Sequence, residues 1–157
     1  MSGTIRTFIM LLITLALMAG CTQATPTPEP LAPSESTAAP AGEIVLTFTG
    51  KVQRELTLSM ADLEGLGTVK KTIEHPKDGK QSYTGVLLST LLEQAQPDPG
   101  TTLAITASDG YSVVVALEDA KACADCLIAF TEGSLRLLMP GFGSSFWVKD
   151  VASIEAK

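Results

Sequence analysis

The sequence predicts an α+β domain, and three observations carry that expectation. Short runs rich in β-branched and apolar residues recur through residues 43–157, parted by turns bearing Gly, Pro and Asp. Two or three other segments place apolar side chains at three- and four-residue steps, as the buried face of a short helix does. The two kinds of segment alternate without a regular βαβ rhythm, which argues against a wound parallel sheet. These 115 or so residues suffice for one domain with a real core and are too few for two.

In chain order, residues 44–49 and 52–58 read as two strands meeting near Gly50-Lys51. Ser59 then caps a helix over 60–66 that ends in Gly67. Residues 69–74 alternate as a strand, and Pro76-Lys77-Asp78-Gly79-Lys80 breaks it with a polar turn. Residues 82–95 are expected to hold the central helix, because Val86, Leu87, Leu88, Leu91, Leu92 and Ala95 recur at helical spacing. Thr84 stands where an N-cap hydroxyl would sit, and Gly85 permits close approach of other backbone. A helix N-terminus of this kind attracts anions. Pro97-Asp98-Pro99-Gly100 stops that helix. Residues 102–107 and 111–117 flank Ser108-Asp109-Gly110 as a hairpin, and 117–122 suit one helical turn. Residues 127–130, 135–139 and 146–151 read as strands, with a loop over 140–145.

Ahead of the domain the sequence reads as an export leader and a spacer. Residues 1–20 carry Arg6, an apolar run from Phe8 to Ala19, and small residues before Cys21. That run is too short for a permanent helix through a bilayer about 30 Å thick. Leu17-Met18-Ala19-Gly20-Cys21 resembles a bacterial lipobox, with Met18 where leucine is commonest. The resemblance implies that Cys21 is lipidated, becomes the mature N-terminus and anchors the domain on the extracytoplasmic side of the cell envelope. Residues 22–42 hold five of the nine prolines and almost no large apolar side chain, so 21–42 reads as a tether. At about 3 Å per residue it would reach up to about 60 Å from the membrane.

Charge narrows the classes of partner. The chain has 11 basic and 17 acidic residues; without Arg6 the balance is ten against seventeen, a net of −7. Nucleic acid needs clustered Lys and Arg, so it is not expected. Anionic lipid would not hold the domain by charge either, which leaves anchoring to the acyl chains.

The order of the segments resembles the oxidoreductase molybdopterin-binding domain, the fold of sulfite oxidase and its bacterial relatives. The resemblance rests on a strand pair, a Leu-rich short helix, Tyr83-Thr84-Gly85-Val86-Leu87-Leu88, Ser108-Asp109-Gly110-Tyr111, Leu135-Arg136-Leu137-Leu138-Met139-Pro140-Gly141, and Trp147-Val148-Lys149-Asp150. It covers nearly all of 43–157 and implies one compact domain with a mixed sheet and two or three short helices. In catalytic members that fold cradles a molybdenum–pterin cofactor. Tyr83, Thr84 and Gly85 match the family's aromatic-Thr-Gly stretch beside the pterin, and Asp109 and Tyr111 match a turn near the site. Arg136 matches an arginine whose planar fork suits a phosphate or oxyanion. Lys149 matches the lysine of the last strand.

Two departures turn the expected function away from catalysis. Catalytic members supply a cysteine thiolate before the aromatic-Thr-Gly element, where this chain has Glu74 and His75 and no cysteine. Molybdenum is a thiolate-loving centre, so that exchange is not neutral. Trp147 stands where the family has a small polar residue, and its bulk suits filling a cavity rather than lining one. No catalytic residue and no metal ligand set is assigned, and no cofactor is expected, with molybdopterin implied by the resemblance alone.

Cys123 and Cys126 are left as a pair in an oxidising compartment, which favours a disulfide over a redox-active pair or a metal site. His75, the lone histidine, suits a surface turn better than a ligand or an acid–base role. The expected protein is therefore a lipoprotein whose domain binds a small ligand or an envelope protein without turning it over. The alternatives are a molybdopterin-dependent oxidoreductase or electron-transfer subunit using Glu74, His75 and Arg136, and a thiol–disulfide protein using Cys123 and Cys126.

Overall fold

The computed structural model describes residues 42–75 and 79–157; the leader, Cys21 and nearly all of the tether lie outside the described residues. Among the described residues nine strands form two sheets. The first contains β1 (Ile44–Gly50), β2 (Leu56–Ser59), β5 (Thr102–Ala107), β6 (Ser112–Ala116) and β9 (Val151–Ala156) in the order β2-β1-β9-β5-β6. It is mixed, because the first and last strands run side by side in parallel while the other pairs are antiparallel. The second is antiparallel, β3 (Val69–His75), β4 (Gly79–Leu87), β7 (Leu127–Thr131) and β8 (Ser134–Leu138) in sequence order. The α+β expectation holds, with the strands divided between two sheets.

The period-2 pattern of each strand decides what is buried. Leu46, Phe48, Leu103, Ile105, Val113, Val115 and Ile154 point inward from the first sheet, and Val86, Ile128, Leu135 and Leu137 from the second. Leu88, Leu91, Leu92 and Ala95 of α2 (Leu88–Ala95) complete this continuous core. A smaller cluster forms on the other face of the second sheet from Ile73, Leu127, Ala129 and Leu138, with Val69, Tyr83, Leu87 and Trp147 packed against it.

Helix α1 (Met60–Gly65) follows its capping signal closely. The Ser59 hydroxyl accepts the Asp62 N–H at 3.3 Å, while the Asp62 carboxylate accepts the Ser59 N–H at 2.9 Å and its hydroxyl at 2.6 Å. Those bonds hold the Asp62 carboxyl below the usual carboxylate range, the side-chain bond from Ser59 contributing most. The β5–β6 hairpin is equally local: Gly110 donates to the Ala107 carbonyl at 3.0 Å and adopts φ +88° at the turn's last position.

Three expectations need correction. The central helix begins at Leu88, not at Thr84; Tyr83, Thr84, Gly85 and Val86 belong to β4. Gly85 does permit a close approach, but of strand β7: a Cβ there would lie 2.1 Å from the Ile128 carbonyl oxygen. The α2 N-terminus is not an anion site either, since Leu88 is fully buried and its N–H donates to the Cys126 carbonyl at 2.9 Å. The second strand is shorter than expected, because residues 52–54 are drawn to the end of α2, where Gln53 and Arg54 N–H groups satisfy the Gln96 and Ala95 carbonyls. Finally, residues 146–150 are not a strand. Ser144–Phe146 form a 3-10 turn, Trp147 packs on the second sheet, and the Val148 carbonyl takes the Leu137 N–H at 2.8 Å.

Candidate functional site

The second sheet sorts the candidate residues by face. Strand register places Lys71, Ile73, His75, Tyr83, Gly85, Ala129 and Arg136 on its outer side, over the smaller cluster. Glu74 and Thr84 fall on the opposite side and are both exposed, Glu74 at the hairpin end and Thr84 at the other end of the ladder, opposite Lys70. Adjacent residues of a strand cannot share a face, so Glu74 and His75 do not form one ligand set. The His75 ring meets Trp147 edge-on, with centroids 4.8 Å apart and planes at 89°. Trp147 thus packs against the hairpin end of the second sheet.

Arg136 and Lys149 come together, although they are thirteen positions apart. The link is the Leu137–Val148 hydrogen bond, which ties the segment before β9 to the edge of β8 and so brings the flanking residues to one place. The two cations line an open concavity of about 350 Å³ with Thr131, Glu132, Ser134 and Asp150. Arg136 is half-buried, and among the described residues no hydrogen bond or ion pair engages its guanidinium. The Thr131 hydroxyl is turned into its own hairpin, bonded to the Ser134 carbonyl at 3.0 Å. Asp150 takes a left-handed backbone, φ +53°, and its carbonyl accepts the Ser108 N–H at 2.8 Å.

Asp109 and Tyr111 sit apart, on the β5–β6 hairpin. The Asp109 carboxylate accepts the Tyr111 N–H at 2.9 Å, a turn-forming bond. The Tyr111 hydroxyl donates to the Ser145 carbonyl at 3.1 Å and so braces the loop leading to Trp147. Both residues position the site's border and neither lines the concavity.

Cys123 and Cys126 are joined as a disulfide. Cys123 is the C-terminal cap of α3 (Leu117–Ala122) and Cys126 is fully buried. Lys71 clamps this loop to β3, donating to the Ala124 carbonyl at 2.9 Å and pairing with Asp125 at 2.5 Å. Among the described residues no three His, Cys, Asp or Glu side chains converge as a metal site.

No family model and no curated protein matches the chain. Among solved structures, the crystal structure of the sulfane dehydrogenase SoxCD from Paracoccus pantotrophus is similar in fold, with a TM-score of 0.60 at 22% sequence identity. The likeness covers 71% of this chain and 37% of that one, so the chain spans little more than a third of its structural relative. At that identity the comparison establishes a shared fold. The strand and helix order that carries the sequence resemblance is thus found in a fold shared with SoxCD.

Proposed function

We propose that this chain is a binding module of the sulfite-oxidase-type fold, held at the cell envelope by lipid on Cys21, that recognises a small oxyanion-bearing ligand at Arg136 and Lys149. The observation that carries the reading is the half-buried Arg136, whose guanidinium has no protein partner among the described residues and which lines a concavity beside a second cation. A carboxylate or sulfonate engages the planar fork of such an arginine bidentately. Glu132 and Asp150 share the same wall, so the site is balanced in charge and disfavours a dianion. A monoanion or zwitterion, with its donor turned toward the carboxylates, complements it best.

The residues present do not fit a molybdenum–pterin group. Both cysteines of the described domain are used in one disulfide, Cys126 being buried, and Cys21 is assigned to lipid. Trp147 packs beside His75, and the Arg136 concavity is shallow, with four of its six lining residues exposed. A group of that size needs a deep pocket enclosing most of its surface.

The test is an NMR titration of the Arg136 side-chain resonance with glycine, acetate and sulfate as probes. The proposal expects glycine and acetate to shift that resonance saturably, sulfate to shift it less, and Arg136→Ala to abolish the backbone shifts at Ser134 and Asp150. Shifts that survive Arg136→Ala, or no shift with any probe, would overturn it.

A further inference from the structure

The four sheet edges of this domain are not treated alike. Natural edge strands are kept from pairing with other chains by shortness, charge, proline, bulges or a covering segment. β2 is four residues long and runs straight into α1. β3 carries Lys70, Lys71 and Glu74. β8 has its Leu137 N–H taken by Val148. Among the described residues, β6, Ser112-Val113-Val114-Val115-Ala116, has no charge, proline, bulge or covering segment. It is uncharged, free of proline, regular in its pairing with β5, and bears Val114 at 58% exposure, with Tyr111 at 47% just before it.

The hydrogen-bond phase of the hairpin shows which groups are left over. Ala107 N–H donates to the Tyr111 carbonyl and Leu117 N–H to the Thr101 carbonyl. With the observed register, Val113 and Val115 therefore bond to β5, and the N–H and C=O groups of Ser112 and Val114 and the N–H of Ala116 point outward, the Ala116 carbonyl being turned into α3 as its N-cap. The side chains of those same residues are exposed on the open face of the sheet.

Charge selects what can pair there. Asp109 lies at one end of the strand and Asp119 at the other, on the first turn of α3, where Glu118 is paired with Lys121 at 3.7 Å. A second copy pairing antiparallel about Val114 would set Asp109 opposite Asp119 of its mate, a like-charge contact that disfavours self-association. A strand ending in Lys or Arg meets carboxylates at both ends instead. We propose that the β6 edge is a docking strand for an extended segment of another protein, with an uncharged β-branched run bracketed by basic residues, added to the first sheet by main-chain hydrogen bonds. This surface shares no residue with the Arg136 concavity and stands independently of it.

The test uses the purified full chain and a fluorescein-labelled heptapeptide with Lys at both ends and alternating Thr and Val between. Fluorescence anisotropy is expected to give saturable binding with a Kd on the order of 100 µM or tighter. Replacing both Lys by Glu, or N-methylating alternate peptide nitrogens in one of the two phases, should weaken it at least about tenfold. Val114→Pro should do the same, because it deletes an outward N–H and leaves the ladder to β5 intact. The N-methylated peptides keep the test decisive if that variant fails to fold. The proposal is overturned by absence of saturable binding, by equal binding of the Glu-ended peptide, by indifference to N-methylation in both phases, or by a dimer of the chain through this edge in sedimentation.

Discussion

Gly85→Ala is the sharpest perturbation the fold offers. Gly85 lies in β4 opposite Val69 of β3 and Ala129 of β7. A Cβ built on it would sit 2.1 Å from the Ile128 carbonyl oxygen, 2.6 Å from the Ala129 Cα and 2.8 Å from the Ile128 carbonyl carbon. Carbon contacts are optimal at about 3.5–4.0 Å, so β4 and β7 must part by roughly 1 Å. Overpacking usually costs about 1–3 kcal/mol where side chains can give way. Here the obstacles are backbone, and parting the strands also weakens ladder bonds worth about 1 kcal/mol each. The expected loss is about 3–5 kcal/mol, a large share of a typical stability of about 5–15 kcal/mol. In urea, with a slope of about 1.5 kcal/mol/M, the midpoint should fall by at least about 2 M. Gly65→Ala is the control: nothing lies within 4 Å of its Cβ, it ends α1, and the change should stabilise by about 0.5–1 kcal/mol. A Gly85→Ala midpoint within about 0.5 M of wild type, at unchanged slope, would refute the packing of β4 on β7.

Other perturbations probe separate features. Cys123→Ser opens a four-residue loop and should cost about 2 kcal/mol, lowering Tm by about 8 °C; an unchanged Tm with free thiols titrated in the wild type would remove the disulfide from the account. Ser59→Ala removes the cap of α1 and should cost about 1 kcal/mol at neutral pH. The Asp62 carboxyl is held low in the folded state by Ser59, so its contribution is present above the unfolded value near 3.9 and fades as pH falls through the folded one. The gap between wild type and Ser59→Ala in urea should therefore narrow in strong acid, and a constant gap would contradict the capping box. Cys21→Ala should release the protein from the membrane fraction, and continued membrane residence after processing would defeat the lipid anchor.

Most of the fold was legible where local chemistry decides it. Ser59 with Asp62, the Ser108-Asp109-Gly110 turn, and the apolar stripe from Leu88 to Ala95 each specify their element within a few residues. Reading failed where a distant strand decides. Ser82 to Leu87 carries a cap-like Thr84-Gly85 and an apolar run, yet β3 on one side and β7 on the other hold it extended. Phe146-Trp147-Val148 has the composition of a strand, but its rings cover other residues: Trp147 lies against His75 and Phe146 meets Phe142. The true last strand starts at Val151, where Ile154 and Ala156 return to the core.

The site was half legible. Arg136 and Lys149 were identifiable by family resemblance, and the structure brings them to one concavity. Glu132, Ser134 and Asp150 were missed. Glu132-Gly133 between two apolar runs is a two-residue hairpin signal that would have placed Glu132 and Ser134 beside Arg136. Nothing local marks Asp150, whose left-handed backbone follows from the Ser108 bond across to the first sheet. Glu74 and Thr84 looked like neighbours of the site only while their strands were unpaired.

The central proposal is that this domain, similar in fold to SoxCD, does not hold a molybdenum–pterin cofactor. Elemental analysis for molybdenum tests it most directly, on the chain purified from a host that makes the cofactor and exports the protein, alongside an equal preparation of Trp147→Ala. The account predicts molybdenum far below stoichiometry in both. Near-stoichiometric molybdenum with pterin absorbance in the wild type would contradict it, and would make His75 and Arg136 the next residues to change.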